Sequence, residues 1–140
     1  MSRVFWDTNL FIYLFENSGP LGARVRLLRE RMTARGDTLS TSALTLGEIL
    51  VKPTELQRPD LTNRYRSAIA QVAHIIPFDT TATPQFAELR AKLKLKSPDA
   101  IQLSCAAAAG TDLFITNDTR LSGLSIPGIQ FVVSLDSSPI

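Results

Sequence analysis

Residues 4–15 read VFWDTNLFIYLF, an apolar run that breaks for Asp7, Thr8 and Asn9 and then resumes. The residues before the break, RVFW, are β-branched and aromatic and predict a short strand. Those after it, NLFIYLFE, predict a helix ending near NSGP at 17–20. A strand feeding directly into a helix is the opening of an α/β unit, and Asp7 stands at the junction. Read locally, Asp7 or Asn9 serves as a helix cap. Read with the rest of the chain, Asp7 is also a candidate metal ligand.

The alternation continues along the sequence. Pro20 to Arg35 places leucines, Val25 and Met32 at helical spacing among five arginines, and Gly36 closes that helix. TLST (38–41) is a strand, and ALTLGEILVK (43–52) a helix stopped by Pro53. PTELQRPD (53–60) reads as a turn-rich connection, LTNRYRSAIAQVAH (61–74) as a helix, and IIPF (75–78) as a strand. TATPQFAELRAKLKLK (81–96) is a helix with Pro84 in its first turn. SPDAIQLSCAAAAG (97–110) is a helix with Ser97 as N-cap, Pro98 at its first position and Gly110 as its stop. DLFIT (112–116) and IQFVV (129–133) are strands. Short strands alternating with helices predict an α/β domain with a mainly parallel sheet. No internal repeat, linker or low-complexity segment divides residues 1–140, which read as a single domain.

The bulk composition narrows the chemistry. At 44% hydrophobic and 20% charged, the 140 residues are an ordinary globular chain with enough apolar material for a core. No apolar stretch reaches the roughly 20 residues of a membrane helix, and the N-terminus does not read as a signal peptide. The single cysteine, Cys105, excludes an internal disulfide framework and fits a reducing compartment. One histidine, His74, and one cysteine cannot make a structural zinc site. A catalytic metal would therefore be held by oxygen, which points to magnesium or manganese. His74 and Cys105 read as structural residues. The net charge of +2 is a weak pointer to an anionic partner, and the basic helix from Arg24 to Arg35 reads most simply as a solvated face.

Four acids stand out. Asp7 follows the first strand, Asp118 follows DLFIT after one residue, and Asp99 lies in the first turn of the alanine-rich helix. Each has a local reading as a cap or dipole partner. Glu48 sits within an apolar helix between Leu44 and Val51. There a buried carboxylate costs several kcal/mol unless it is paired, bound to a cation or extended to the rim. In a parallel sheet the carboxyl ends of the strands form a cleft, so Asp7, Asp99 and Asp118 are expected to face one another. Carboxylates crowded in one cleft repel, and a divalent cation removes that repulsion. Such an ion activates water for phosphodiester hydrolysis. Thr8, Asn9, Thr116 and Asn117 are placed to orient the acids or metal-bound water.

The pieces DTNLFIYL, TLGEIL, SPDAIQLSCAAAAG and DLFITNDTRL, in this order, resemble the PIN domain family, and most closely its small VapC-like toxin ribonucleases. The resemblance covers nearly the whole chain. It implies a three-layer α/β/α sandwich with a central mainly parallel sheet, and a cytoplasmic, metal-dependent endoribonuclease. On it Asp7, Glu48, Asp99 and Asp118 carry over as the Mg2+ or Mn2+ site, and Asn9, Thr116 and Asn117 as supporting polar groups. It also implies an RNA substrate, a homodimer and inhibition by a small antitoxin whose C-terminal segment lies in the active-site groove. Two positions depart from the pattern. KLKLKS stands where many relatives have a glycine before the third acid, and Gln102 stands where many have a small residue. The second departure is expected to change packing or substrate contact beside Asp99.

Three other readings compete. A haloacid-dehalogenase-type phosphatase also starts with a strand and an aspartate, but Asn9 replaces its general acid and TNDTRL supplies one late aspartate of two. A PIN-like module that binds RNA or protein without cutting conflicts with the presence of all four acids. A PIN nuclease of RNA maturation differs from a toxin only in its partner.

Overall fold

The computed structural model describes residues 1–16 and 19–140; the predicted helix end at Asn17 and Ser18 lies outside the described residues. The strands are β1 (Arg3–Trp6), β2 (Thr38–Ser42), β3 (His74–Ile76), β4 (Leu113–Thr116) and β5 (Phe131–Ser134). The helices are α1 (Thr8–Glu16), α2 (Gly19–Arg35), α3 (Ala43–Glu55), α4 (Pro59–Val72), α5 (Thr83–Lys92) and α6 (Ser97–Ala108). The sheet order is β3-β2-β1-β4-β5, and each described pairing is parallel.

Strand β1 explains the layering. Val4, Phe5 and Trp6 are all buried, as a central parallel strand requires. Successive side chains point to opposite faces. Val4 and Trp6 therefore join Leu10, Phe11, Val25 and Met32 on the face covered by α1–α4. Phe5 stacks on Phe114 at 5.2 Å on the other face, with Leu103 and Ala106 of α6. Two cores on one sheet make the three-layer α/β/α sandwich. The chain moves outward from β1 to β2 and β3, then returns to the other side of β1 with β4. That reversal opens a crevice beyond the carboxyl ends of β1 and β4.

Several boundaries differ from the sequence expectation. Pro53 does not stop α3, which runs to Glu55. A proline in a last turn removes a single backbone bond, and here Pro53 is buried. The segment 53–60 thus supplies the end of α3 and the start of α4, with Pro59 in its first turn. His74 is a strand residue paired with Ser40, because Ala73 is already extended (φ −139°, ψ 148°). Pro77 and Phe78 fall beyond β3. Ser97 is the first residue of α6, and Lys96 holds the cap position without a side-chain bond.

Helix α5 ends at Lys92, well short of Lys96. The N–H groups of Leu93 and Leu95 both return to the Leu89 carbonyl, and half-buried Leu95 packs into the second core. This closure puts Lys94 at φ +56°. A side chain there costs roughly 1 kcal/mol that glycine would not incur.

Candidate functional site

The Asp7 N–H extends the β1–β4 ladder to the Ile115 carbonyl at 3.0 Å, fixing the residue at the strand end just before α1. Its side chain is buried and fully engaged. Oδ1 accepts from the Thr8 N–H at 2.8 Å and from Gln102 Nε2 at 3.3 Å. Oδ2 accepts from Thr116 Oγ1 at 2.7 Å. Thr8 and Asn9 sit inside the helix and do not cap it.

Thr116 closes β4 and joins two of the acids. Its hydroxyl donates to Asp7 and accepts the Asp118 N–H at 3.0 Å. Asp118 accepts from Arg120 through the backbone N–H and Nε, both at 3.0 Å, and through a second guanidinium nitrogen at 2.5 Å. That guanidinium also lies 4.0 Å from Asp99 in the first turn of α6. Asn9 and Asn117 act one step back. Asn9 Oδ1 accepts the Asn117 N–H, and Asn117 Nδ2 donates to the Tyr13 hydroxyl, tying α1 to the loop after β4.

Glu48 corrects one expectation. It is exposed at the rim, so the burial penalty inferred from Leu44 and Val51 does not arise. Val51 itself is 51% exposed. Glu48 Oε1 accepts from Thr8 Oγ1 at 2.8 Å, which directs the carboxylate toward Asp7.

These residues line one recess of about 240 Å³ whose walls include Asp7, Glu48, Asp99 and Asp118. The four acids come from the β1–α1 junction, α3, α6 and the loop after β4. Burial first, and then repulsion from Asp99, raises the pKa of Asp7 against the hydrogen bonds that lower it. Burial and the Asp118 charge raise that of Asp99, whereas bonding to Arg120 lowers that of Asp118. The charge distribution therefore favours a cation between the carboxyls. The donors are all oxygen, as magnesium and manganese prefer. Among the described residues no three acidic, histidine or cysteine side chains stand close enough together, as placed, to hold a metal ion.

Beneath the acids lies a buried polar layer that sequence inspection underrated. Gln102 Nε2 reaches Thr8 Oγ1 at 3.0 Å and Thr45 Oγ1 at 2.7 Å, and its Oε1 accepts from Ser42 Oγ. Thr41 joins Thr45 at 2.8 Å and the Trp6 carbonyl at 2.9 Å. The departure at position 102 is therefore a packing feature under Asp7 and Thr8. Its signal was a lone amide inside the apolar run of α6, matched by the hydroxyl-rich TLSTSALT. We predict that Gln102→Leu lowers stability by about 2–3 kcal/mol, because buried hydroxyls lose their partner. A thermal melt of the variant reads this directly.

Fold and site together define an α/β domain with an acid-lined crevice at its topological switch point. The PIN domain family model matches residues 4–126, and the chain belongs to that family. Similar solved structures include a toxin–antitoxin complex from Klebsiella pneumoniae at 27% identity and TM-score 0.68, covering 90% of this chain and 94% of that one. VapBC2 from Rickettsia felis bound to a promoter DNA fragment aligns at 18% identity and TM-score 0.75, over 94% and 97% of the two chains. DNA-bound VapBC from Salmonella typhimurium aligns at 21% and 0.72, over 96% and 99%. No curated protein matches the chain. Family membership supports a nuclease of the hydrolase class. No helix among the described residues is long and apolar enough to cross a membrane.

Proposed function

We propose that the chain is a Mg2+- or Mn2+-dependent endoribonuclease that acts in the cytoplasm as the toxin of a toxin–antitoxin pair. The observation that carries this reading is the meeting of Asp7, Glu48, Asp99 and Asp118, from four separate segments, around one recess. In the proposal these four carboxylates hold the ion. When bound, it would supply an activated water and neutralise charge on the phosphate. The protein's own part is positional. Thr116 and the Thr8 N–H hold Asp7 in one rotamer, while Thr8 Oγ1 holds Glu48. Arg120, already on Asp118 and near Asp99, is placed to share the charge of an incoming phosphate.

A partner protein has a surface beside this site. A groove of about 220 Å³ shares Glu48 with this site and is lined by Ile12, Phe15, Ile49, Val51 and Tyr65 together with the paired Glu16 and Lys52; Phe15 and Tyr65 stack at 5.3 Å. It suits the apolar side of a short antitoxin segment, whose polar side would then reach the acids. The similarity to toxin–antitoxin complexes supports that partner. A homodimer is part of the same proposal, and light scattering of the purified protein tests it.

The ribonuclease reading is tested with purified protein and mixed RNAs. Cleavage is expected with magnesium or manganese, is expected to stop with chelator, and should return when metal is restored. Cleavage that persists unchanged in chelator would overturn it.

A further inference from the structure

Exposed basic residues lie on α2, at α4 (Arg58, Arg64 and Arg66) and in the turn between α5 and α6. On α2, Arg24 pairs with Asp136, Arg35 with Asp37 and Arg29 with Thr33, in contacts of which Arg24 and Arg35 are solvent-exposed and Arg29 half-buried. The surface beside the acid recess is the turn between α5 and α6, where KLKLK (92–96) exposes Lys92, Lys94 and Lys96. Lys92 has a solvated partner, Glu88, at 3.4 Å, a contact that is weak in water. Lys96 precedes α6 directly, and the first-turn residues Pro98 and Asp99 of that helix line the acid recess. Arg120 contacts the carboxylates of Asp99 and Asp118.

Two physical points give this turn a role. A polyanion approaching a carboxylate cluster is repelled unless cations lie along its path. In addition, Lys94 occupies left-handed backbone (φ +56°) that glycine would adopt without strain. Gln57 carries the same strain at an exposed position outside the recess (φ +54°); at Lys94 the strain coincides with a cationic turn that leads into the recess-lining start of α6.

We infer that the turn Lys92–Lys96 is the surface that guides the RNA backbone into the acid site, and that Lys94 is kept in strained backbone for its charge. The inference rests on the ribonuclease reading and adds to it the side from which RNA enters. The α2 arginines take no part.

The experiment measures binding of a fluorescent single-stranded RNA of mixed sequence by anisotropy, in chelator, across a salt series. Lys94→Gly is expected to raise Tm by about 3 °C and to weaken RNA binding about fivefold at low salt. Gln57→Gly, which relieves the same strain at φ +54° elsewhere, should raise Tm without changing RNA affinity. Replacing Lys92 and Lys96 by alanine together with Lys94→Gly should lower the slope of log affinity against log salt by about 2. Arg29→Ala with Arg31→Ala should leave that slope unchanged. An unchanged slope in the triple variant, or a larger loss in the α2 variant, would overturn the inference. A wild type that neither binds RNA here nor cleaves it with metal overturns the ribonuclease reading, and the inference with it.

Discussion

Asp7→Asn is expected to abolish RNA cleavage, by at least about 1,000-fold, and at the same time to make the metal-free fold more stable. The first effect follows if Asp7 is a metal ligand, since a neutral amide binds magnesium poorly. The second follows from its surroundings. Burial raises the pKa of Asp7 above its ordinary value, so the ionised form is held less favourably in the fold than in the unfolded chain. That group's contribution is most favourable below the unfolded value of 3.8 and is lost as pH rises through the higher folded value. Asparagine removes this loss and keeps the geometry. Its oxygen can accept from the Thr8 N–H and Gln102, and its amide can donate to Thr116 Oγ1. The gain in stability should be about 1 kcal/mol near neutral pH and should vanish in acid. Magnesium should raise the Tm of the wild type and leave the variant unmoved. Melts across pH, with and without magnesium, check both signs.

Thr116→Val is the second large effect. Valine fills the same volume, so no cavity forms, but two bonds vanish at a site that is 0% exposed. Asp7 Oδ2 loses its donor and the Asp118 N–H loses its acceptor. A buried carboxylate left without its hydrogen bond costs about 2–3 kcal/mol. Loss of the clamp should also reduce cleavage about 10- to 100-fold, as for other groups that orient metal ligands. The stability deficit should shrink at acid pH, where Asp7 is protonated and needs the bond less. Thr116→Ser restores the hydroxyl and should recover most of both losses. A valine variant with full activity would show that the Thr116 bond does not position the site.

Much of this arrangement was legible in the chain. VFW and LFI are unbroken apolar runs because their strands are buried on both faces, and each strand leads into an acid at its carboxyl end. What was not legible depends on partners far away in sequence. Gln102 and Ser42 meet across 60 residues, and only the packing of α6 beside β2 brings them together. The burial of Glu48 was misjudged because apolar neighbours at helical spacing do not reveal which face meets the sheet; Val51 points largely to solvent. His74 left its predicted helix for a strand because β2 offered a parallel edge. Arg120 stands two residues after Asp118, a spacing at which a guanidinium can fold back onto the carboxylate, and it does so here.

In the proposed function these four carboxylates form the metal site. Titration with Mn2+, followed by the loss of the free-ion electron paramagnetic resonance signal, tests it most directly in the wild type and in a variant combining Asp7→Asn with Asp99→Asn. Saturable binding is expected in the wild type, and its loss in the folded variant. Equal Mn2+ binding by both proteins would contradict it.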